Sequence, residues 1–208
     1  MIQVSTAFKL CPFLFALGCM CFAQPVNWMG PYEPCRNSAE LKGTGHLHIG
    51  VRYDVSDPVV IQQFHEAFEF WSKVLDADFY DEQSTACAVA IVEGTNTLLG
   101  DLVVARAQLP DRSNFEGWIA VERTAGPYLP FGDAIATWIH EIGHLLGLKH
   151  SSSPASLMYF IDVDSASRLD SADLRALSRL HTLRGGMRAA NAVGVAWAFN
   201  DHTNTGSP

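Results

Sequence analysis

The sequence has 208 residues, of which 48% are hydrophobic and 17% are charged, and its formal net charge at pH 7 is −8. This length and composition are typical of one globular domain and exclude a wholly disordered chain. An acidic chain without a basic stripe has nothing to neutralise phosphates, so we expect no nucleic-acid partner.

The first 23 residues have the pattern of a secretory signal peptide. Lys9 supplies a short positive region, residues 10–22 form an almost unbroken apolar run, and residues 21–23 (CFA) resemble a cleavage site. The run is too short to span a bilayer, so we expect a secreted protein without an integral membrane span. The alternative is a lipid anchor at Cys19, although a leucine stands two residues before that cysteine, where lipoprotein sequences usually place it three before.

Cleavage after residue 23 leaves two cysteines, Cys35 and Cys87. Export to an oxidising compartment favours a disulfide between them. The alternatives are a free thiol, or a Cys35 thiolate that caps a metal site in an inactive precursor. Residues 24–41 contain three prolines and little periodicity, which indicates a loose lead-in or a short pro-segment.

Residues 42–183 alternate between strand and helix patterns and predict an α/β fold with a mixed twisted sheet. Apolar residues alternate from 47 to 53, which predicts a half-buried strand. Asp57 and Pro58 predict the start of a long helix, whose apolar positions recur at helical spacing as far as Leu75. Three further strands are predicted at residues 86–92, 102–109 and 118–121.

Two more helices and a tail complete the pattern. One helix opens near Asp133, and the last opens at Asp170, with Asp173 in a position that favours a capping interaction. Residues 184–208 contain paired glycines, many alanines and a polar end, which predict a flexible tail. The predicted buried stripe of the last helix consists of Leu174, Leu177 and Leu180.

Residues 140–150 read HEIGHLLGLKH and contain three histidines. Histidines four positions apart on a helix lie about 40° apart around its axis, so His140 and His144 point to one side. Gly147 suits a left-handed helix end, which turns the chain so that His150 can reach the same point. Three neutral imidazoles and a water form the open tetrahedral site of a catalytic zinc.

Glu141 follows the first histidine directly, which places it near that water without ligating the metal. We therefore predict hydrolysis of peptide bonds by a zinc-activated water, with Glu141 as general base. A structural zinc would normally have a fourth protein ligand and would not need this glutamate. Two alternatives remain open: a zinc hydrolase of a non-peptide amide or ester bond, and a catalytically weak protein-binding module on the same fold.

The histidine motif resembles the zinc signature of the metzincin metallopeptidases, in which a methionine turn lies beneath the metal. Residues 157–159 (LMY) match that turn, which implies that Met158 forms a hydrophobic floor and is not a ligand. Ser151, directly after the third histidine, and the spacing of eight residues from that histidine to Met158 resemble the matrixin branch. The resemblance implies a metzincin-like catalytic domain with an active-site helix, an irregular lower part that carries the Met-turn, and a C-terminal helix.

The resemblance also implies where substrate binds. Residues 102–108 resemble the edge strand that borders the matrixin cleft, although a valine-rich run also suits an ordinary interior strand. The family's usual proline after the Met-turn tyrosine is absent, which leaves the shape of the specificity pocket open. The implied substrate-binding residues are Val104, Ala105, Arg106, Tyr159 and Phe160.

Several features of that family are not visible here. The cysteine-switch sequence is absent, and residues 34–36 (PCR) are only a fragment of it. The ligand spacing of a second, structural zinc and a hemopexin-like repeat are also not visible. We therefore expect one catalytic Zn²⁺, with calcium possible but not evident, in a monomer that acts on protein or peptide substrates.

Overall fold

The computed structural model describes residues 33–94, 104–122, 131–160 and 168–185, together with residues 195–196. These residues form a mixed α/β fold, as the sequence predicts. The sheet strands are β1 (Leu47–Asp54), β2 (Ala77–Asp81), β3 (Val89–Gly94), β4 (Ala105–Ala107) and β5 (Trp118–Glu122). The helices are α1 (Pro58–Val74), α2 (Phe131–Leu145) and α3 (Ser171–Leu177), and a 3-10 turn spans Ser38–Leu41.

The strands of the sheet are ordered β2-β1-β3-β5-β4, so β4 lies at an edge. Strands β2, β1, β3 and β5 are parallel, and β4 alone runs antiparallel to β5. The described part of β4 is therefore not an interior strand. It ends at Ala107, two residues before the predicted end, because the Gln108 side chain accepts hydrogen bonds from the backbone N–H groups of Glu116 and Gly117 and holds the following turn.

Two strand predictions differ from the structure. Strand β2 was not predicted, because a five-residue edge segment with an aspartate at its end has low strand propensity. Strand β3 begins at Val89, three residues later than predicted, because Cys87 closes a turn by donating from its backbone N–H to the Ser84 carbonyl at 3.3 Å.

Helix α1 begins as predicted, with the Asp57 carboxylate accepting from the Val59 N–H at 2.8 Å. Two indole hydrogen bonds then join α1 to α2. Trp71 Nε1 donates to the carbonyl of Ile139 at 3.1 Å, and Trp138 Nε1 donates to Gln63 Oε1 at 3.0 Å. Both indoles are buried, so these hydrogen bonds fix α2 against α1 within the main core.

A second, smaller apolar cluster lies on the opposite face of the sheet. Strand residues alternate in direction, so Val89 and Ile91 of β3 face the main core while Ala90 and Val92 face this cluster. The other members of the cluster are Cys35, Cys87, Ala120 and Trp118. The helices and the second cluster therefore occupy different faces of the sheet.

Cys35 ties the start of the described chain to that second face. A disulfide joins Cys35 to Cys87, as the cysteine count predicts, and the Arg36 N–H donates to the Thr85 carbonyl at 2.8 Å. The buried Arg52 guanidinium donates to the Asp54 carboxylate and to the carbonyl of Glu33. Cys35 is therefore attached to this face, whereas Leu41 belongs to the main core on the other face; residues 24–32 lie outside the described parts of the chain.

The last helix differs from prediction at its C-terminal end. Asp170 and Asp173 form the expected capping box, but α3 ends at Leu177, and the side chain of Leu180 is 44% exposed instead of buried. Within the predicted tail, Val195–Ala196 (β7) pairs antiparallel with Arg168–Leu169 (β6). None of the helices in the described ranges has the length and apolar character needed to cross a bilayer.

Candidate metal centre

Helix α2 and the turn after it bring the three motif histidines together. Gly147 has φ +96°, and the backbone N–H of Leu148 donates to the Gly143 carbonyl at 2.9 Å, so the chain reverses directly after the helix. One ligand atom from each of His140, His144 and His150 lies within 4.8 Å of the others. Within the described residues, no other group of three or more histidine, cysteine or acidic side chains is arranged in this way.

Backbone carbonyls orient the first two imidazoles. His140 Nδ1 lies 2.8 Å from the carbonyl oxygen of Leu157, and His144 Nδ1 lies 2.9 Å from that of Leu148. A carbonyl only accepts, so Nδ1 carries the proton in each ring and Nε2 presents a lone pair. Metal-binding histidines require this tautomer, and the hydrogen bond to the carbonyl fixes the orientation of each ring.

The surroundings keep these imidazoles neutral. Burial and the neighbouring His144 lower the pKa of His140 to about 4, and burial likewise lowers the pKa of His144. A ligand histidine must be unprotonated, so both groups are in the metal-binding form at neutral pH. The donor set of three imidazoles fits a catalytic zinc.

The side chain of Met158 is fully buried and packs against helix α2. A Cβ atom at Gly143 would lie only 2.6 Å from Met158 Sδ, so the sulfur packs directly on the helix backbone. The Ser151 N–H donates to the Met158 carbonyl at 2.7 Å, which joins the segment after His150 to this turn.

One hydrogen-bonded link to the turn was not predicted. Ser156 Oγ donates to the Asp173 carboxylate at 2.7 Å and accepts from the Met158 N–H at 3.0 Å. Asp173 of α3 therefore supports the turn as well as capping its own helix. The sequence predicted the capping role of Asp173 from its spacing to Asp170. No local pattern predicted its hydrogen bond with Ser156, which lies 17 positions earlier.

The family model described as Matrixin matches residues 115–182, which include α2, the three histidines, the methionine turn and α3. This part of the chain is therefore similar to the matrixin metallopeptidases. A search of curated proteins finds no match to this chain. The Matrixin match supports a zinc-dependent peptidase in general and protein substrates as its class.

Glu141 directly follows His140 in α2, and its carboxyl lies beside Ala107 and Arg106 of β4. Burial raises the pKa of its carboxyl to about 7, and the backbone N–H of Ala107 and the charge of Arg106 oppose this rise. A carboxyl that titrates near neutrality can both accept and return a proton at physiological pH.

The pairing of β4 leaves part of its backbone facing away from the sheet. Gln108 donates from its N–H to Trp118, and Val104 accepts from Glu122, so residues at alternate positions face β5. In an antiparallel pair the intervening residues direct their N–H and C=O groups outward. No described strand pairs on that side of β4, so the backbone of Ala105 faces an edge of the described sheet, while the outward N–H of Ala107 meets Glu141.

The remaining predicted substrate residues lie around this edge and beside the methionine turn. Arg106 is exposed, and Val104 and Ala105 are partly buried. Tyr159 packs on Phe160 with ring centroids 4.7 Å apart, and Phe160 is 59% exposed. Residues 161–167, which continue from them, lie outside the described ranges.

The structure places Cys35 away from the histidines. Cys35 is disulfide-bonded to Cys87 in the cluster on the other face of the sheet, so its sulfur is not a thiolate that caps the metal centre.

Proposed function

We propose that the protein is a secreted zinc-dependent endopeptidase in which Glu141 is the general base. The observation that carries this proposal is the convergence of three imidazoles, together with a carboxyl directly after the first of them that accepts from the backbone of the edge strand β4. Secretion rests on the signal-like residues 1–23, with residues 42–183 as the catalytic domain and residues 184–208 as a tail.

We assign His140, His144 and His150 as the residues that hold the metal. Zinc bound to three imidazoles supplies a Lewis acid that polarises a carbonyl and lowers the pKa of a coordinated water toward roughly 7. The chain's own contribution to the site is orientation. The Leu157 and Leu148 carbonyls fix two rings, and Met158 closes the underside against water.

Glu141 handles the proton in this proposal. Its carboxylate accepts a proton from the attacking water and returns it to the leaving amine as the peptide bond breaks. The burial that raises its pKa to about 7 makes the carboxylate a stronger base, while the Ala107 N–H keeps it oriented toward the strand edge.

The open edge of β4 positions the substrate. An extended peptide can pair with the outward N–H and C=O of Ala105, which gives affinity without reading sequence. Selectivity then comes from the apolar surface that Tyr159 and Phe160 present beside the metal centre. Burying one Leu or Phe side chain there is worth about 1.5–3 kcal/mol, so we expect cleavage before a bulky apolar residue.

Two substitutions test the assignment. Glu141→Gln preserves shape and should retain zinc while peptide cleavage falls by about two or more orders of magnitude. His144→Ala should lose both zinc and cleavage, because it removes a ligand. Zinc content by elemental analysis and cleavage of a peptide library are measured together; near-normal turnover by Glu141→Gln would contradict the mechanism.

A further inference from the structure

A cavity of about 250 Å³ lies between α1 and the β1–β2 end of the sheet. Its apolar lining is largely aromatic: Phe68 of α1 is buried, and Tyr53 of β1 and Phe79 of β2 are partly buried. We call this cavity the α1–β2 pocket. No residue of the metal centre lines it.

Two carboxylates stand at the opening of the α1–β2 pocket. Glu69 of α1 and Asp81 of β2 are 64% and 55% exposed, and neither lysine nor arginine lines the pocket. His65 Nε2 lies 3.0 Å from Asp81 Oδ1, and the His65 ring meets the Tyr53 ring edge-on at 5.2 Å. Lys73, one helical turn after Glu69, forms an ion pair with it at 2.7 Å. Lys73 is not among the residues that line the pocket.

The hydroxyl of Tyr53 belongs to the same polar opening. Burial and the nearby Asp81 carboxylate raise the pKa of this hydroxyl, so its protonated form is maintained beside an anionic group. A ligand that brings positive charge to Asp81 would therefore meet a carboxylate, a phenol oxygen and aromatic ring faces together.

These features select a class of ligand. The volume is smaller than the roughly 300–1,000 Å³ typical of sites for drug-sized molecules, so one short group fits. Aromatic faces attract cations. The two carboxylates repel anions, and a neutral alkyl group beside them would remove hydration without supplying a countercharge. We propose that the α1–β2 pocket binds a short organic cation, a primary ammonium or guanidinium on an apolar stem. The stem lies against Phe79, and the cationic head meets the Tyr53 ring and the carboxylates of Glu69 and Asp81.

The pocket is separate from the substrate edge proposed above. Strands β2 and β4 are the two ends of the five-stranded order, and four spacings of about 4.8 Å place them roughly 19 Å apart. The cation could be a free amine or a lysine or arginine side chain of a bound polypeptide. Binding at this distance does not depend on peptidase activity, so the proposal can fail or succeed independently of the proposed function.

Nuclear magnetic resonance titration of the full chain tests the proposal, with n-butylammonium as the probe and 1-butanol and butyrate as uncharged and anionic matches. Saturable shifts of the Tyr53 and Phe79 ring signals are expected with n-butylammonium, about five- to thirtyfold tighter than with 1-butanol. N-acetyl-lysine amide distinguishes the two sources. If it binds with the same affinity as n-butylammonium, the site takes polypeptide side chains. If only n-butylammonium binds, the site takes free amines.

Shape-preserving variants provide the controls. Asp81→Asn and Glu69→Gln should each weaken n-butylammonium binding by about two- to fivefold. Glu40→Gln, which neutralises an exposed carboxylate in the turn Ser38–Leu41, should leave it unchanged. Equal affinity for 1-butanol, the absence of saturable shifts, or full binding by the Asp81→Asn, Glu69→Gln double variant would overturn the proposal.

Discussion

His140 donates from Nδ1 to the carbonyl oxygen of Leu157, the residue directly before Met158. This hydrogen bond joins the active-site helix to the methionine turn, and Met158 packs back on the same helix at Gly143. The helix and turn therefore support each other through one polar and one apolar contact. A change in the packing at Gly143 should reach His140 through this pair of contacts.

We predict that Gly143→Ala destabilises the protein despite the better helix propensity of alanine. The new Cβ would lie 2.6 Å from Met158 Sδ and 3.2 Å from Trp71 Cζ2, and both side chains are fully buried. Overpacking of this kind costs about 1–3 kcal/mol, against at most about 1 kcal/mol gained in propensity. Urea denaturation measures the difference. Gly185→Ala, which adds a Cβ with no neighbour within 4 Å, is the matched control and should be close to neutral.

We predict that Ala105→Pro impairs peptide cleavage more than it impairs folding. The Ala105 N–H faces the open edge, so proline removes a donor available to substrate without removing a hydrogen bond to β5. Losing one such hydrogen bond should lower kcat/KM by about three- to tenfold. Ala105→Val keeps the N–H and adds similar bulk. Cleavage rates are compared per folded molecule. If Ala105→Pro and Ala105→Val both cleave a short peptide as fast as the unaltered protein, substrate does not pair with this edge.

We predict that the Cys35→Ser, Cys87→Ser double variant loses stability but keeps its activity per folded molecule. The disulfide closes a sequence separation of 52 residues, and removing such a link typically costs about 2–4 kcal/mol. The pair lies on the sheet face opposite α2, so the histidines should keep their arrangement. Denaturation midpoints and initial cleavage rates are measured on the same preparations. Activation of the unaltered protein by thiol-modifying reagents would instead indicate that Cys35 restrains the site.

We predict that His181 contributes to destabilisation at acidic pH. The side chain is 3% exposed, and Nε2 lies 2.8 Å from the carbonyl of Leu146; burial lowers its pKa below 6.5. The unfolded chain therefore binds more protons, so this contribution is complete above pH 6.5 and declines as the pH falls toward the folded pKa. The carbonyls of Gly43 and Leu146 face the ring and partly offset the shift.

The measurement for His181 is the difference in unfolding free energy between pH 7.5 and 5.5, taken on metal-free protein. His140 and His144 titrate in the same direction, so the comparison is made between the unaltered chain and His181→Gln. The variant keeps a side-chain donor for Leu146 and should lose less stability on acidification. An identical pH dependence in both proteins would show that His181 does not take part.

Features coded by neighbouring residues were predictable from the sequence. Asp57 and Asp170 cap helices through atoms two or three residues away, and the histidine motif converges through one helix and one glycine turn. The Matrixin match over residues 115–182 covers Asp170 and the histidine motif but not Asp57. Local spacing is enough to identify such features because every partner lies within a few residues of the pattern.

Features that depend on distant partners were not predictable. A single sequence does not reveal that the buried Arg52 bonds the carbonyl of Glu33, or that Ser156 bonds Asp173. Leu180 was predicted to be buried because its spacing continues the α3 stripe, yet the helix ends at Leu177 and leaves it exposed. Tertiary packing decided each of these outcomes, whereas periodicity reports only local conformation.

The position of Cys35 on the far face of the sheet gives the molecule a side suited to attachment. Arg36 is exposed directly after this anchorage. A biotin or a surface linker coupled at position 36 would be attached on the face opposite α2 and would leave the histidines facing solution. Immobilised in this orientation, the protein could capture peptides on a sensor surface without its own support blocking access to them.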